Sequence, residues 1–170
     1  MILEYNMMHP NVVPPTRANP SDAGLDIYFS PLEIDTEVTL NPGESTTLMT
    51  GLRFGVPHGY MLQVMNRSSV ASRKNLLVGA CVIDSGYDGE VFINLHNVGS
   101  ETRIIKRADK IAQIVMIPVI PFRAYCRHDG DLYSYPITMS ERGDGALGST
   151  DAPPQRKSIL DLDIEKHNTY

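Results

Sequence analysis

The chain has 170 residues, 42% of them apolar and 21% charged. That balance excludes fibrous and disordered classes and supports one globular domain with short arms rather than two domains. A net charge of -5 at pH 7 leaves no broad basic field, so no nucleic-acid partner is expected and any phosphate must be met locally.

Two cysteines, Cys81 and Cys126, form no Cys-x-x-Cys pair and signal neither a disulfide framework nor a zinc site. Residues 1–10 hold Glu4 and no basic stretch before an apolar run, and no run approaches membrane-spanning length. The expectation is a reduced, cytoplasmic protein that does not engage a membrane.

Twelve prolines and thirteen glycines separate short runs that alternate apolar and polar residues, the pattern of many short strands. Asn41-Pro42-Gly43 reads as a turn. Residues 60–64 place Tyr60, Leu62 and Val64 on one strand face, and residues 91–95 do the same with Val91, Ile93 and Leu95. The one plausible helix covers residues 68–75, with a serine pair able to cap its start. Residues 110–117 are more continuously apolar, as in a strand buried on both faces, and Pro118 and Pro121 demote the residues after them to an edge or a turn. Residues 151–170 begin with Pro153-Pro154 and alternate Leu160, Leu162 and Ile164 with Asp161 and Asp163; they read equally as an added strand or a solvated tail.

Four segments break the strand pattern with residues suited to a ligand. Asn66-Arg67-Ser68-Ser69 joins a strand to the short helix, putting hydroxyls beside a guanidinium as an anion cradle; alone it reads as a helix cap with a solvated arginine. Residues 78–90 deliver Asp84 from an apolar run into a turn at Ser85-Gly86, with Tyr87 three positions on and a second turn at Asp88-Gly89. An ionised carboxylate so placed can take a proton from a polarised water; the plainer reading is an aspartate that caps its own turn. Residues 108–113 carry Gln113 into a buried strand, where its amide needs partners, either phosphate oxygens or backbone. Residues 142–150 form a glycine-rich run from Arg142 through Gly148 to the hydroxyls of Ser149 and Thr150. Their N–H groups could wrap phosphate oxygens, though such a run alone reads as a linker, and it lacks the ending of a P-loop.

In order and spacing these segments resemble the trimeric dUTPase family, from about residue 23 to 150. Ala23-Gly24-Leu25-Asp26-Ile27 is similar to the first family motif, Arg67-Ser68-Ser69 to the heart of the second and residues 79–90 to the third. Residues 109–113 resemble the fourth and residues 142–150 the fifth. The resemblance implies an all-β, jelly-roll-like barrel with one short helix, assembled as a homotrimer with shared active sites. It implies a domain over residues 1–150, closed by a glycine-rich lid at about 140–150, and an extra tail at 151–170.

The implied reaction is hydrolysis of dUTP to dUMP and pyrophosphate, with Mg²⁺ carried by the substrate phosphates rather than by protein carboxylates. Asp84 would be the base that activates water, and Tyr87 would pack under the deoxyribose. Main-chain groups of Cys81, Val82 and Ile83 would read uracil. Arg67, Ser68, Ser69 and Gln113 would lie on the phosphates, with Arg142, Leu147, Gly148 and Ser149 in the closing lid and Asp26 supporting the site. Such a cycle would limit uracil in DNA and supply dUMP for dTMP synthesis.

Four positions depart from the family pattern. Leu147 stands where an aromatic stacks on uracil, Asp151 and Ala108 replace glycines, and Cys81 replaces a small glycine. Two other readings compete with hydrolysis of dUTP. A dCTP deaminase, or bifunctional deaminase, of the same fold would need a glutamate ten positions after the hairpin aspartate; that place holds Asn94, whose amide cannot accept the water's proton. A regulatory binding protein on this fold would have no chemical need for Asp84, Tyr87, Gln113 and Arg142 together, although a regulatory protein partner beside catalysis stays open.

Overall fold

The computed structural model describes residues 1–128; residues 129–170 are not described. Among the described residues all regular elements lie in a unit spanning Met1–Arg123, and residues 124–128 of the following unit carry neither helix nor strand. The unit is mostly β, with one short helix, as the sequence predicts. Among the described residues no helix is long and apolar enough to cross a membrane.

The elements run β1 (Glu4–Met7), β2 (Leu25–Tyr28), β3 (Glu37–Leu40), β4 (Ser45–Met49), β5 (Leu52–Gly55), β6 (Tyr60–Met65), α1 (Ser68–Lys74), β7 (Leu76–Val78), β8 (Val82–Ile83), β9 (Phe92–Asn97), β10 (Arg103–Lys106) and β11 (Lys110–Pro118). They form open antiparallel sheets in the orders β2-β11-β6-β8, β4-β9-β7, β1-β5 and β10-β3. The period-two faces hold. Leu62 and Val64 of β6, and Val91, Ile93 and Leu95 at β9, are buried in a core that also takes Ile27, Leu48, Leu52 and Ile114. Each fully buried aliphatic side chain of this kind contributes about 1.5–3 kcal/mol, so these faces fix the register of the strands that carry the site.

Two local expectations need correction. The serines do not cap α1: Arg67 is the N-cap, with extended backbone (φ -82°, ψ 133°) and no side-chain cap bond. The N–H groups of Val70 and Ala71 donate to the Arg67 carbonyl at 3.0 and 2.9 Å, which leaves Ser68 and Ser69 inside the first turn. Nor is β11 buried on both faces. It is a central strand, but only Ile111, Ala112 and Ile114 are buried. The adjacent buried pair Ile111 and Ala112 arises from a β-bulge, because Lys110 pairs with Tyr28 while Ala112 already pairs with Ile27.

The turn from β10 into β11 is closed by the Asp109 N–H donating to the Lys106 carbonyl at 3.0 Å, and its third residue, Ala108, sits at φ 67°. A left-handed alanine costs about 1–2 kcal/mol, whereas glycine there would cost about 0.4–1 kcal/mol in unfolded-chain freedom. Ala108→Gly is therefore expected to stabilise the fold by about 0.5–1 kcal/mol, read as a raised urea midpoint at unchanged slope.

Candidate active site

Asp84 follows β8 directly. Its turn is closed by main-chain groups, the Tyr87 N–H donating to the Asp84 carbonyl at 3.2 Å, with Gly86 supplying the positive φ of 89° that such a turn demands. The Ser85 hydroxyl ties the turn to the Val56 carbonyl at 3.2 Å. Among the described residues the Asp84 carboxylate accepts no hydrogen bond, so it does not cap its own backbone and stays exposed in the turn after β8. The Tyr87 hydroxyl donates to the Glu90 carbonyl at 2.8 Å, and the Glu90 carboxylate in turn receives the Gly51 N–H at 2.8 Å. The aromatic ring is thereby fixed beside Asp84, and the two line a hollow of about 240 Å³ with Val82, Ile83 and Phe92.

The base-reading residues divide. Val82 is exposed and Ile83 buried, and both pair with β6 through Gln63 and Leu62. Cys81 is an exposed free thiol whose carbonyl already accepts the Val64 N–H at 2.8 Å. Of the segment expected to meet a base through its main chain, that carbonyl is partly committed to the sheet.

A second hollow, of about 500 Å³, gathers residues from three other segments: Gly24 and Asp26 of the first, Arg67 and Ser68 of the second, and Gln113 of the fourth. Ser69 is exposed and is not among its walls. Gln113 pairs with Asp26 across β11 and β2, and its Nε2 donates to the Asn66 carbonyl at 2.9 Å; the amide is half-buried rather than sealed in the core. A Cβ at Gly24 would overlap Gln113 Oε1, so glycine is needed there for the amide to lie against the backbone.

Asp26 organises this hollow. Its Oδ1 accepts from Arg67 Nε and its Oδ2 from Lys110 Nζ, each at 2.7 Å, while Lys110 also lies 5.7 Å from the centre of the Tyr28 ring. Burial alone would raise the Asp26 carboxyl, but the hydrogen bonds from Lys110 and Arg67, together with their charges, outweigh it and hold the group below its usual 3.8. The same bond to Asp26 raises the Lys110 ammonium above 10.5. The guanidinium of Arg67 is thus anchored through one nitrogen, and among the described residues its two terminal nitrogens have no other acceptor.

Sequence reasoning missed Lys110, which only the bulge brings to Asp26, and it missed the contacts that fix Asn94. The Asn94 Oδ1 meets His96 Nε2 at 2.7 Å, and its Nδ2 donates to the Thr46 carbonyl at 3.2 Å. A Cβ on Gly79 would overlap both Asn94 and His96, a signal that the glycine opening the third segment could have given. No group of three or more His, Cys, Asp or Glu among the described residues could hold a metal ion, and both Asp26 oxygens are taken by cations. Arg142, Leu147, Gly148, Ser149 and Thr150 lie outside the described residues.

Comparison with known proteins agrees with the segment order. The family model for dUTPase matches residues 11–150. A deoxyuridine 5'-triphosphate nucleotidohydrolase of Anaplasma marginale is 36% identical over 142 residues, covering 80% of this chain and 87% of that protein. One from Desulfitobacterium hafniense is 37% identical over 139 residues, covering 80% and 85%.

Among solved structures, a mutant dUTPase of Staphylococcus bacteriophage 80alpha with dUpNHpp superposes with a TM-score of 0.73 at 24% identity, covering 87% of this chain and 97% of that one. A mutant dUTPase from phage phi11 of S. aureus, described with a coordinated structural Mg(II) ion, gives 0.68 at 24% identity, covering 77% and 99%. At that identity the structural likeness speaks for the fold, and the sequence matches carry the family. On those matches the chain belongs to the dUTPase family.

Proposed function

We propose that this protein hydrolyses dUTP to dUMP and pyrophosphate, and that Asp84 is its general base. The observation that carries the reading is the exposed Asp84 carboxylate, free of intramolecular hydrogen bonds among the described residues, beside a tyrosine whose hydroxyl is already committed. Asp84 takes a proton from a water that attacks the α-phosphorus in line, and pyrophosphate leaves. The Tyr87 ring supports the deoxyribose and leaves no place for a 2′-hydroxyl, while Val82, Ile83 and Cys81 border the base.

Arg67, Ser68, Ser69 and Gln113 donate to phosphate oxygens, Ser69 from outside the walls of the larger hollow. Arg142, Leu147, Gly148 and Ser149 belong to a closing arm at about 140–150 of a domain over residues 1–150, followed by the tail at 151–170. With no protein cluster among the described residues to hold a cation by itself, Mg²⁺ enters as part of the Mg–dUTP substrate and neutralises phosphate charge. The two hollows share no lining residue within one chain. That separation supports a jelly-roll-like homotrimer in which a neighbouring copy completes each site.

The deaminase alternative is disfavoured by Asn94, whose amide is fixed between His96 and Thr46 and offers no carboxylate. A panel of dUTP, dCTP, dTTP and UTP with Mg²⁺ and product identification tests the reading. Pyrophosphate and dUMP are expected from dUTP without ammonia, with UTP slower by about a hundredfold or more. Ammonia from dCTP would overturn the hydrolase assignment in favour of the deaminase. Nucleotide binding without turnover would favour a regulatory protein.

A further inference from the structure

Lys110 stands outside both hollows, yet it occupies one oxygen of the carboxylate that anchors Arg67. Its place there follows from the backbone. Side chains of a regular strand alternate, so residues 110 and 113 would face opposite ways. Asp26 and Tyr28 share a face of β2, and their partners across the ladder are Gln113 and Lys110 respectively. The bulge between Lys110 and Ala112 therefore reverses the alternation and turns Lys110 to the face that carries Asp26 and Gln113, where its ammonium lies over the Tyr28 ring. A bulge that leaves one residue unpaired costs ladder bonding, and here it places a second cation on a single carboxylate.

Arg67 alone would bind Asp26 as a two-membered pair, free to rotate into a two-pronged contact using Nε and one terminal nitrogen on both oxygens. Lys110 competes with that arrangement by drawing Oδ2 into its own hydrogen bond. Arg67 meets Oδ1 through Nε, and among the described residues its terminal nitrogens have no acceptor and stay available to the hollow. We propose that Lys110 is a positioning residue for triphosphate recognition: by occupying Oδ2 of Asp26 it keeps the Arg67 terminal nitrogens turned toward the substrate's phosphates. The assignment rests on the hydrolase reading given above for its substrate, but not for its geometry.

The test uses the full chain and its Lys110→Met, Lys110→Gln and Lys110→Arg variants, with steady-state dUTP kinetics and calorimetric binding of inorganic triphosphate. Loss of the ammonium should raise KM for dUTP about tenfold, equivalent to about 1.4 kcal/mol, with kcat within about twofold. Triphosphate binding should weaken by a similar factor, and Lys110→Arg should recover most of both.

An unchanged KM in Lys110→Met and Lys110→Gln, with the parent active on dUTP, would overturn the role of Lys110 and leave the hydrolase reading standing. Parallel loss of kcat, KM and melting temperature without recovery by arginine would also overturn it, as a purely structural contact. If the parent does not hydrolyse dUTP, the hydrolase reading fails separately and triphosphate binding decides. Weaker binding in the Met and Gln variants, restored by Arg, supports the role; equal binding, or none by the parent, overturns it.

Discussion

Asp84→Asn is expected to lower kcat for dUTP by about 10³-fold, in the range that a positioned general base contributes, while KM changes little. The reason is geometric. The carboxylate accepts no hydrogen bond among the described residues, and its turn is held by main-chain groups and Ser85, so an isosteric amide leaves the turn in place. Stability should therefore stay within about 0.5 kcal/mol of the parent. An interaction made only in the transition state appears in kcat and kcat/KM equally. Pyrophosphate release measured beside urea unfolding separates the two quantities, and turnover within tenfold of the parent would remove Asp84 from the base role.

Asp26→Asn has the largest expected effect on stability. The parent carboxylate gives one oxygen to each of two cations; an amide has one oxygen and presents an N–H₂ group to the other, donor against donor. One charged hydrogen bond is lost, which costs about 1.5–3 kcal/mol, and KM for dUTP should rise as Arg67 loses its anchor.

The pH dependence distinguishes this cause from lost packing. Asp26 is held below 3.8 in the folded protein, so its contribution is complete above that pH and drains away as the pH falls through the lowered value. Lys110 is raised above 10.5, so its share persists below that pH and is lost as the pH climbs through the raised value. Urea unfolding at fixed protein concentration should show the full gap between parent and variant at pH 7 and a narrower gap near pH 3. A gap independent of pH would mean that the substitution acts through shape.

Much of the fold is legible in the sequence because period-two alternation is a direct image of a half-buried strand. Leu62 and Val64, and Val91, Ile93 and Leu95, lie on the faces expected of them, and the helix expected over 68–75 runs from Ser68 to Lys74. Asp84 is readable as a carboxylate delivered by an apolar approach into a glycine turn. Register and the competition between caps are not readable in the same way. The run at 110–117 is a central strand interrupted by a bulge, and its composition does not show where the alternation reverses. Serines at 68 and 69 are good cap residues, but Arg67 takes the cap position because its backbone is extended and its side chain is drawn to Asp26, 41 residues earlier. The contacts of Gln113 with Asn66 and of Asn94 with Thr46 are likewise long-range, and a single sequence gives no distance between segments.

The tight meeting of Gly79, Asn94 and His96 bears on how this fold can change its chemistry. Asn94 fills the space in front of the glycine, with its oxygen on His96 and its nitrogen on Thr46. A glutamate at 94 is one carbon longer and carries a charge, so it must either press into the backbone at 79 or displace the imidazole. Conversion between the water-on-phosphorus and water-on-base members of this architecture is therefore not a one-step walk through sequence space from this starting point. The meeting of β7 and β9 must be rebuilt at Gly79 or His96 together with position 94, and intermediates with only one change carry an unplaced side chain in a crowded strand.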